Sequence, residues 1–143
     1  MDNNFKREVL LHHNKTPHNR VDSTFDDKSY IKKSGINPSC GDQLTMYIKF
    51  DGEEISDIKH DGDGCTMCCA SASISTDEVK GKTKNEAINK IENFDKYIKG
   101  QECEVDLFED AIIFEDAKDF PNRYKCFNLA WSTIEEVVRE SNE

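Results

Sequence analysis

Three short stretches of this chain place metal-type donors where a turn or a helix start would present them. They are Asn37-Pro38-Ser39-Cys40-Gly41-Asp42, Gly62-Asp63-Gly64-Cys65 and Arg123-Tyr124-Lys125-Cys126. Together they offer three thiols and one carboxylate: Cys40, Asp42, Cys65 and Cys126. That donor set satisfies the tetrahedral preference of zinc and suits iron or an iron-sulfur cluster equally, because thiolate-rich sites accept all of these. Thiolates are also nucleophiles, so the same residues suit thiol exchange.

The surrounding pattern says how such distant donors could meet. Leu44, Met46, Ile48 and Phe50 alternate with more polar residues, Ile55 and Ile58 follow, and Asp51-Gly52 separates the two runs. Period-two alternation around an Asp-Gly turn predicts an antiparallel hairpin. Its first strand starts just after Cys40 and its second ends just before Gly62, so Cys40, Asp42 and Cys65 are expected at one end of a sheet. At i+2 from Cys40, the side chain of Asp42 is expected on the same side of an extended segment. Cys65 to Val79, rich in Cys, Ala and Ser, reads as a helix with Cys65 at its N-terminus, where free amides and the macrodipole favour a thiolate. Thr83 to Lys99 reads as a second helix, with a Thr83/Glu86 capping box and Gly100 as its stop. Asn4 to His12 suggests a short N-terminal helix, and Val105 to Phe114 another short one. A last helix from about Asn122, started by Pro121, carries Cys126 near its beginning.

Composition narrows the function. The 143 residues fit one domain, 1–143, large enough to bury a core without disulfide staples. Asp and Glu number 29 against 19 Lys and Arg, a net charge of -10, which disfavours nucleic acid and anionic membranes and favours a basic protein partner. No run of about 18 apolar residues occurs, and the Met1-Asp2-Asn3-Asn4 start lacks the apolar stretch of a signal peptide, so a cytoplasmic location is expected. In that reducing compartment six cysteines point to metal or thiol chemistry and away from disulfides. The segment from Asn14 to Arg20 is polar, contains Pro17 and reads as an exposed loop; His12, His13 and His18 lie close by, but they form no i, i+4 ligand pair and read as clustered surface histidines, not as metal ligands.

The ordered motifs resemble the U-type iron-sulfur cluster assembly proteins, and within the IscU/NifU N-terminal superfamily the SufU branch. The resemblance rests on Asn-Pro-Ser-Cys-Gly-Asp at 37–42, Gly-Asp-Gly-Cys at 62–65 with Ala-Ser-Ala-Ser at 70–73, Val-Lys-Gly-Lys-Thr at 79–83, and Arg-Tyr-Lys-Cys-Phe-Asn-Leu-Ala-Trp at 123–131. It covers nearly the whole chain. Lys125, where IscU proteins typically carry His, and a long segment between about Lys84 and Asp119 are the SufU-like features. The resemblance implies an α+β fold, SufE/NifU-like, in which a small antiparallel sheet of about three strands packs against several helices. The third strand is not evident from pattern. It also implies zinc, or alternatively iron or an iron-sulfur cluster, held by Cys40, Asp42, Cys65 and Cys126. Cys40 is then the acceptor of persulfide sulfur from a pyridoxal-phosphate-dependent cysteine desulfurase, with downstream cluster-assembly or acceptor proteins as further partners and a scaffold role on the same ligands. A closed tetrahedral site is poor at exchanging sulfur, so a ligand from the partner, such as His, would replace Cys40 and free it as a nucleophile.

Two residues are auxiliary candidates. Lys125 is placed to pair with a thiolate or persulfide, although a solvated lysine is the plain alternative. Cys68 stands where the family usually has Ser, and it lies with Cys69 on the helix face of Cys65, yet burial as a small apolar side chain is the simpler role for both. Cys103 sits between Glu102 and Glu104, surroundings that raise a thiol pKa, and reads as incidental. Competing functions fit less well. A thioredoxin-like reading of Cys65-Thr66-Met67-Cys68 lacks its β-α-β context, and a calcium loop from Asp61 to Gly64 fails because Cys65 takes its fifth position. A non-catalytic, zinc-stabilised interaction module is the alternative that remains.

Overall fold

The computed structural model describes residues 1–141. Helix α1 (Asn3–Lys15) leads into a meander of three antiparallel strands, β1 (Ile31–Asn37), β2 (Asp42–Asp51) and β3 (Glu54–Asp63), in the order β1-β2-β3. Helices α2 (Thr66–Val79) and α3 (Lys84–Ile98) follow, then three 3₁₀ segments (Val105–Leu107, Asp110–Asp119 and Pro121–Arg123) and α4 (Tyr124–Glu140). The expected α+β class and three-stranded sheet are what the chain forms. Among the described residues, no helix is long and apolar enough to cross a membrane.

The hairpin forms where the alternation places it. β2 and β3 pair from Gln43↔Asp63 to Asp51↔Glu54, and Gly52, at φ +61, opens the two-residue loop with the positive φ that such tight loops require. Leu44, Met46, Ile48, Ile55 and Ile58 are all buried and form the sheet's contribution to the core. The strand that pattern did not reveal, β1, is an edge strand whose large apolar residues, Ile31 and Ile36, face solvent. Its Gly35 lets α4 come close, since a Cβ there would strike Thr133 and Leu129.

Helix α2 runs through the middle of the molecule. Its residues from Ala70 to Thr76 are all buried, which explains its small side chains: α1, α4 and β3 all pack against it. Ser71 Oγ donates to the carbonyl of Phe127 and accepts the indole N–H of Trp131 at 3.0 Å, joining α2 to α4. Trp131 in turn stacks on Phe94 of α3 with ring centroids 3.9 Å apart.

The α3 capping box forms as expected, with Thr83 Oγ1 accepting the Glu86 N–H and Glu86 Oε1 accepting the Thr83 N–H. Gly100, at φ +75, follows the helix end. The expected helix over Val105 to Phe114 is instead two 3₁₀ segments. A buried carboxylate organises them: Glu78, at the end of α2, accepts the N–H groups of Glu109 and Ala111 and pairs with Lys90 Nζ at 3.0 Å. Pro121 opens a 3₁₀ turn that leads into α4.

Candidate metal centre

Cys40 lies in the four-residue turn Pro38–Gly41 that joins β1 to β2, closed by the Asn37↔Asp42 pair and by the Gly41 N–H donating to Asn37 O at 2.9 Å. Gly41 supplies the left-handed conformation, φ +73, that lets the chain reverse there. Cys40 and Asp42 therefore meet because the chain turns between them, and the extended i+2 geometry expected from sequence does not apply. Cys40 is exposed, whereas Asp42 and Cys126 are each only 1% exposed.

Asp42 opens β2 and is fixed by the start of α2. Its Oδ1 accepts the backbone N–H of Cys65 at 2.8 Å, leaving Oδ2 turned towards Cys65 Sγ at 3.9 Å and Asn37 Nδ2 at 3.5 Å. Gly64 makes this contact possible. A Cβ on it would stand 2.6 Å from Asp42 Oδ1. Cys65 stands at the helix start as expected: it is the N-cap of α2, and its Sγ accepts the Cys68 N–H at 3.4 Å.

Cys126, in the first turn of α4, completes the cluster. Its Sγ lies 3.3 Å from Cys40 Sγ and 3.7 Å from Asn37 Nδ2. The ligand atoms of Cys40, Asp42 and Cys126 all lie within 4.8 Å of one another, with Cys65 at the edge of the group. Burial pushes the Cys126 thiol up to about 12, reinforced by its contact with Cys40. The donor chemistry suits a thiophilic cation: the set mixes soft sulfur with a single oriented carboxylate oxygen, and the 3.3 Å between the Cys40 and Cys126 sulfurs would need to open by about half an ångström to reach the ~3.8 Å of a tetrahedral zinc thiolate pair.

The auxiliary residues fall on different sides of this centre. Cys68 is buried and its thiol is pushed well up by desolvation, as the core reading expects. Cys69 Sγ contacts Gly64 O at 3.7 Å, and burial raises its pKa too. Cys103 is also raised, but by burial and not by its glutamate neighbours. Lys125 is exposed and borders a depression with Ser34, Gly35 and Ile36. The cation that touches the cluster is Arg123, which was not singled out from sequence. Its Nη2 lies 3.6 Å from Cys65 Sγ, and contacts with Cys126 and Cys65 raise its pKa further. The motif Arg-Tyr-Lys-Cys held two cations, and helical geometry favours i−3 over i−1 for facing the cysteine.

His13 departs from the surface position expected of the three histidines, whereas His12 is exposed on α1 and His18 lies in the turn that follows it. His13 is fully buried, with Nδ1 at 2.7 Å from Ser73 Oγ and Nε2 at 2.8 Å from Asp110 Oδ2. It ties α1 to α2 and to the Asp110–Asp119 segment.

A meander of three strands backed by helices, with an exposed thiol and buried partners at the sheet's end, defines a small α+β domain with a thiol-rich cluster that could hold a metal ion. Residues 5–127 match the family described as NifU-like N terminal domain, and the chain belongs to that family. It is 36% identical over 141 residues to the iron-sulfur cluster assembly scaffold protein IscU of Streptococcus pyogenes serotype M1, covering 97% of this chain and 86% of that protein. It is 33% identical to the zinc-dependent sulfurtransferase SufU of Bacillus subtilis, covering 92% and 88%. Among solved structures it resembles a putative iron-sulfur cluster assembly scaffold protein for the SUF system from Fervidobacterium islandicum, with a TM-score of 0.81, 33% identity and coverage of 92% and 94%.

Proposed function

We propose that this chain serves iron-sulfur cluster assembly as a zinc-dependent sulfur acceptor. It receives persulfide sulfur on Cys40 from a pyridoxal-phosphate-dependent cysteine desulfurase and hands it to downstream assembly or acceptor proteins. The observation that carries this reading is the asymmetry of the donors: Cys40 stands exposed on a turn while Asp42 and Cys126 are buried. A purely structural zinc site has no need of one exposed ligand.

Cys40, Asp42, Cys65 and Cys126 would hold the zinc, which when bound favours the thiolate form of its cysteines. Asp42 is kept in place by the Cys65 amide, and Arg123 adds positive charge beside Cys65. Cys40 can swing outward by movement of its turn alone, with a donor from the desulfurase, such as histidine, taking its place. Its thiolate then attacks the terminal sulfur of the desulfurase persulfide. A new S–S bond forms on Cys40, the old one breaks, and the desulfurase cysteine leaves as a thiolate. No net oxidation occurs. The same donors, carrying iron in place of zinc, suit the scaffold role named for the streptococcal relative.

The test is desulfurase turnover with cysteine as substrate. Wild-type protein should accelerate it and Cys40→Ala should not. Full stimulation by Cys40→Ala sinks the acceptor assignment, and no stimulation by wild type favours the zinc-stabilised interaction module.

A further inference from the structure

A second group of ligand-type side chains lies away from the cysteine centre, at the other end of α2. His12 Nε2 and His18 Nε2 face each other at 2.8 Å, and His18 Nδ1 pairs with Asp77 Oδ2. The ligand atoms of His13, His18 and Asp77 also lie within 4.8 Å of one another. We propose that His12 and His18 form a second metal site on this protein, taking a divalent transition ion of the zinc class through their two Nε2 atoms, with Asp77 orienting His18.

Hydrogen bonding decides which nitrogens are free. The Asp110 carboxylate can only accept, so His13 Nε2 carries the hydrogen and its neutral ring accepts the Ser73 hydroxyl at Nδ1, while Ser73 Oγ itself accepts the backbone N–H of His18 at 2.7 Å. His13 is thus fully used as a structural residue. His18 is not. Its Nδ1–H donates to the Asp77 carboxylate, which leaves a lone pair on Nε2 directed at His12. A histidine whose far nitrogen is held by a carboxylate is the usual arrangement of a metal ligand, because the carboxylate fixes the tautomer and raises the basicity of the other nitrogen.

The site is also built in advance. Asn19, at φ +59, donates from Nδ2 to Thr76 Oγ1 at 2.9 Å and to Asp77 Oδ1 at 3.2 Å. The buried His60, kept neutral by desolvation that lowers its pKa to about 4, donates Nε2–H to His18 O at 3.0 Å. The backbone around His18 is therefore pinned from two sides, while His12, on the last turn of α1, is exposed and free to adjust. Zinc bonds of about 2.0–2.1 Å in tetrahedral geometry separate two nitrogens by about 3.3 Å, so the pair needs to open by about half an ångström. The acidic surroundings of Asp77 and Asp110 favour a cation, and the partial exposure of His18 leaves the remaining coordination positions to water.

The experiment titrates protein already holding one equivalent of zinc with further Zn2+. Calorimetry follows binding while the imidazole nitrogens are observed by NMR. Wild type should take up a second equivalent that shifts the His12 and His18 ring signals. Asp77→Asn should weaken that step about 10- to 100-fold, the usual effect of losing the carboxylate behind a histidine ligand, and His12→Ala, at an exposed position, by at least about tenfold. The proposal is overturned if no second equivalent binds, or if His12→Ala binds it as tightly as wild type. It is equally overturned if the two rings respond to pH but not to Zn2+, the behaviour of a pair that merely shares a proton.

Discussion

Replacing Gly64 by alanine tests how the centre is held together. The residue has an ordinary φ, so the expected damage comes from contact alone. The new Cβ would stand 2.6 Å from Asp42 Oδ1 and 3.0 Å from both Cβ and Cγ of the same side chain. Asp42 is buried and its Oδ1 carries the bond from the Cys65 amide, so the carboxylate cannot yield without breaking that bond. A hydrogen bond to a charged group contributes about 1.5–3 kcal/mol, and overpacking costs about 1–3 kcal/mol. The two losses share one displacement, and together come to about 2–4 kcal/mol. For a chain of this size that lowers the unfolding temperature by roughly 5–15 °C. Thermal unfolding of metal-free protein reads this directly, and competition with a chelator shows whether the displaced carboxylate also weakens zinc. Gly41→Ala is the control: its φ is +73 but nothing lies within 4 Å of the new Cβ, so only backbone strain of about 1–2 kcal/mol applies. If Gly64→Ala unfolds within a degree or two of wild type, or no lower than Gly41→Ala, the account of Asp42 as a clamped ligand is wrong.

Two further outcomes follow from the core. Glu78→Ala should cost about 3–5 kcal/mol, measured by urea denaturation, because it leaves the buried Lys90 ammonium without its counter-charge, with only the residue-78 carbonyl to donate to, and the Glu109 and Ala111 amides without their acceptor. Cys68 should resist alkylation by iodoacetamide until the protein unfolds, and Cys68→Ala should keep the zinc stoichiometry of wild type, since the thiol is buried and held protonated by desolvation.

What could be read from sequence was whatever local chemistry determined alone. The β2–β3 hairpin announces itself because one face is buried and its turn carries glycine, and the α3 start because the side chains of Thr83 and Glu86 accept each other's backbone N–H groups. β1 was silent because an edge strand owes its form to its partner: Ile31-Lys-Lys-Ser-Gly-Ile36 has no buried alternating face to show. The 3₁₀ segments were read as a helix because the carboxylate that shapes them, Glu78, lies about 30 residues earlier. His13 reads as a surface histidine beside a polar loop, and only the arrival of Ser73 and Asp110 makes its burial tolerable. The donors of the candidate centre are legible as residues, and the hairpin pattern also places Cys40, Asp42 and Cys65 at one end of the sheet, whereas Cys126 joins them only through the packing of α4. The buried and exposed roles among them, and the part of Arg123, needed tertiary contacts.

The meeting of Cys40 and Cys126 has a consequence for how the chain acquires its centre. The two sulfurs touch across a separation of 86 residues, the first on the sheet and the second on the final helix. Closing so long a loop is entropically unfavourable, and an ion bridging its ends would act as a staple whose binding energy is felt as stability of the α4–sheet contact. During synthesis, a chain that has emerged only as far as α3 carries Cys40, Asp42 and Cys65 but lacks the fourth donor. If these four residues hold zinc as proposed, metal capture at full strength waits for α4 to dock, and a loaded centre would report that the fold is complete.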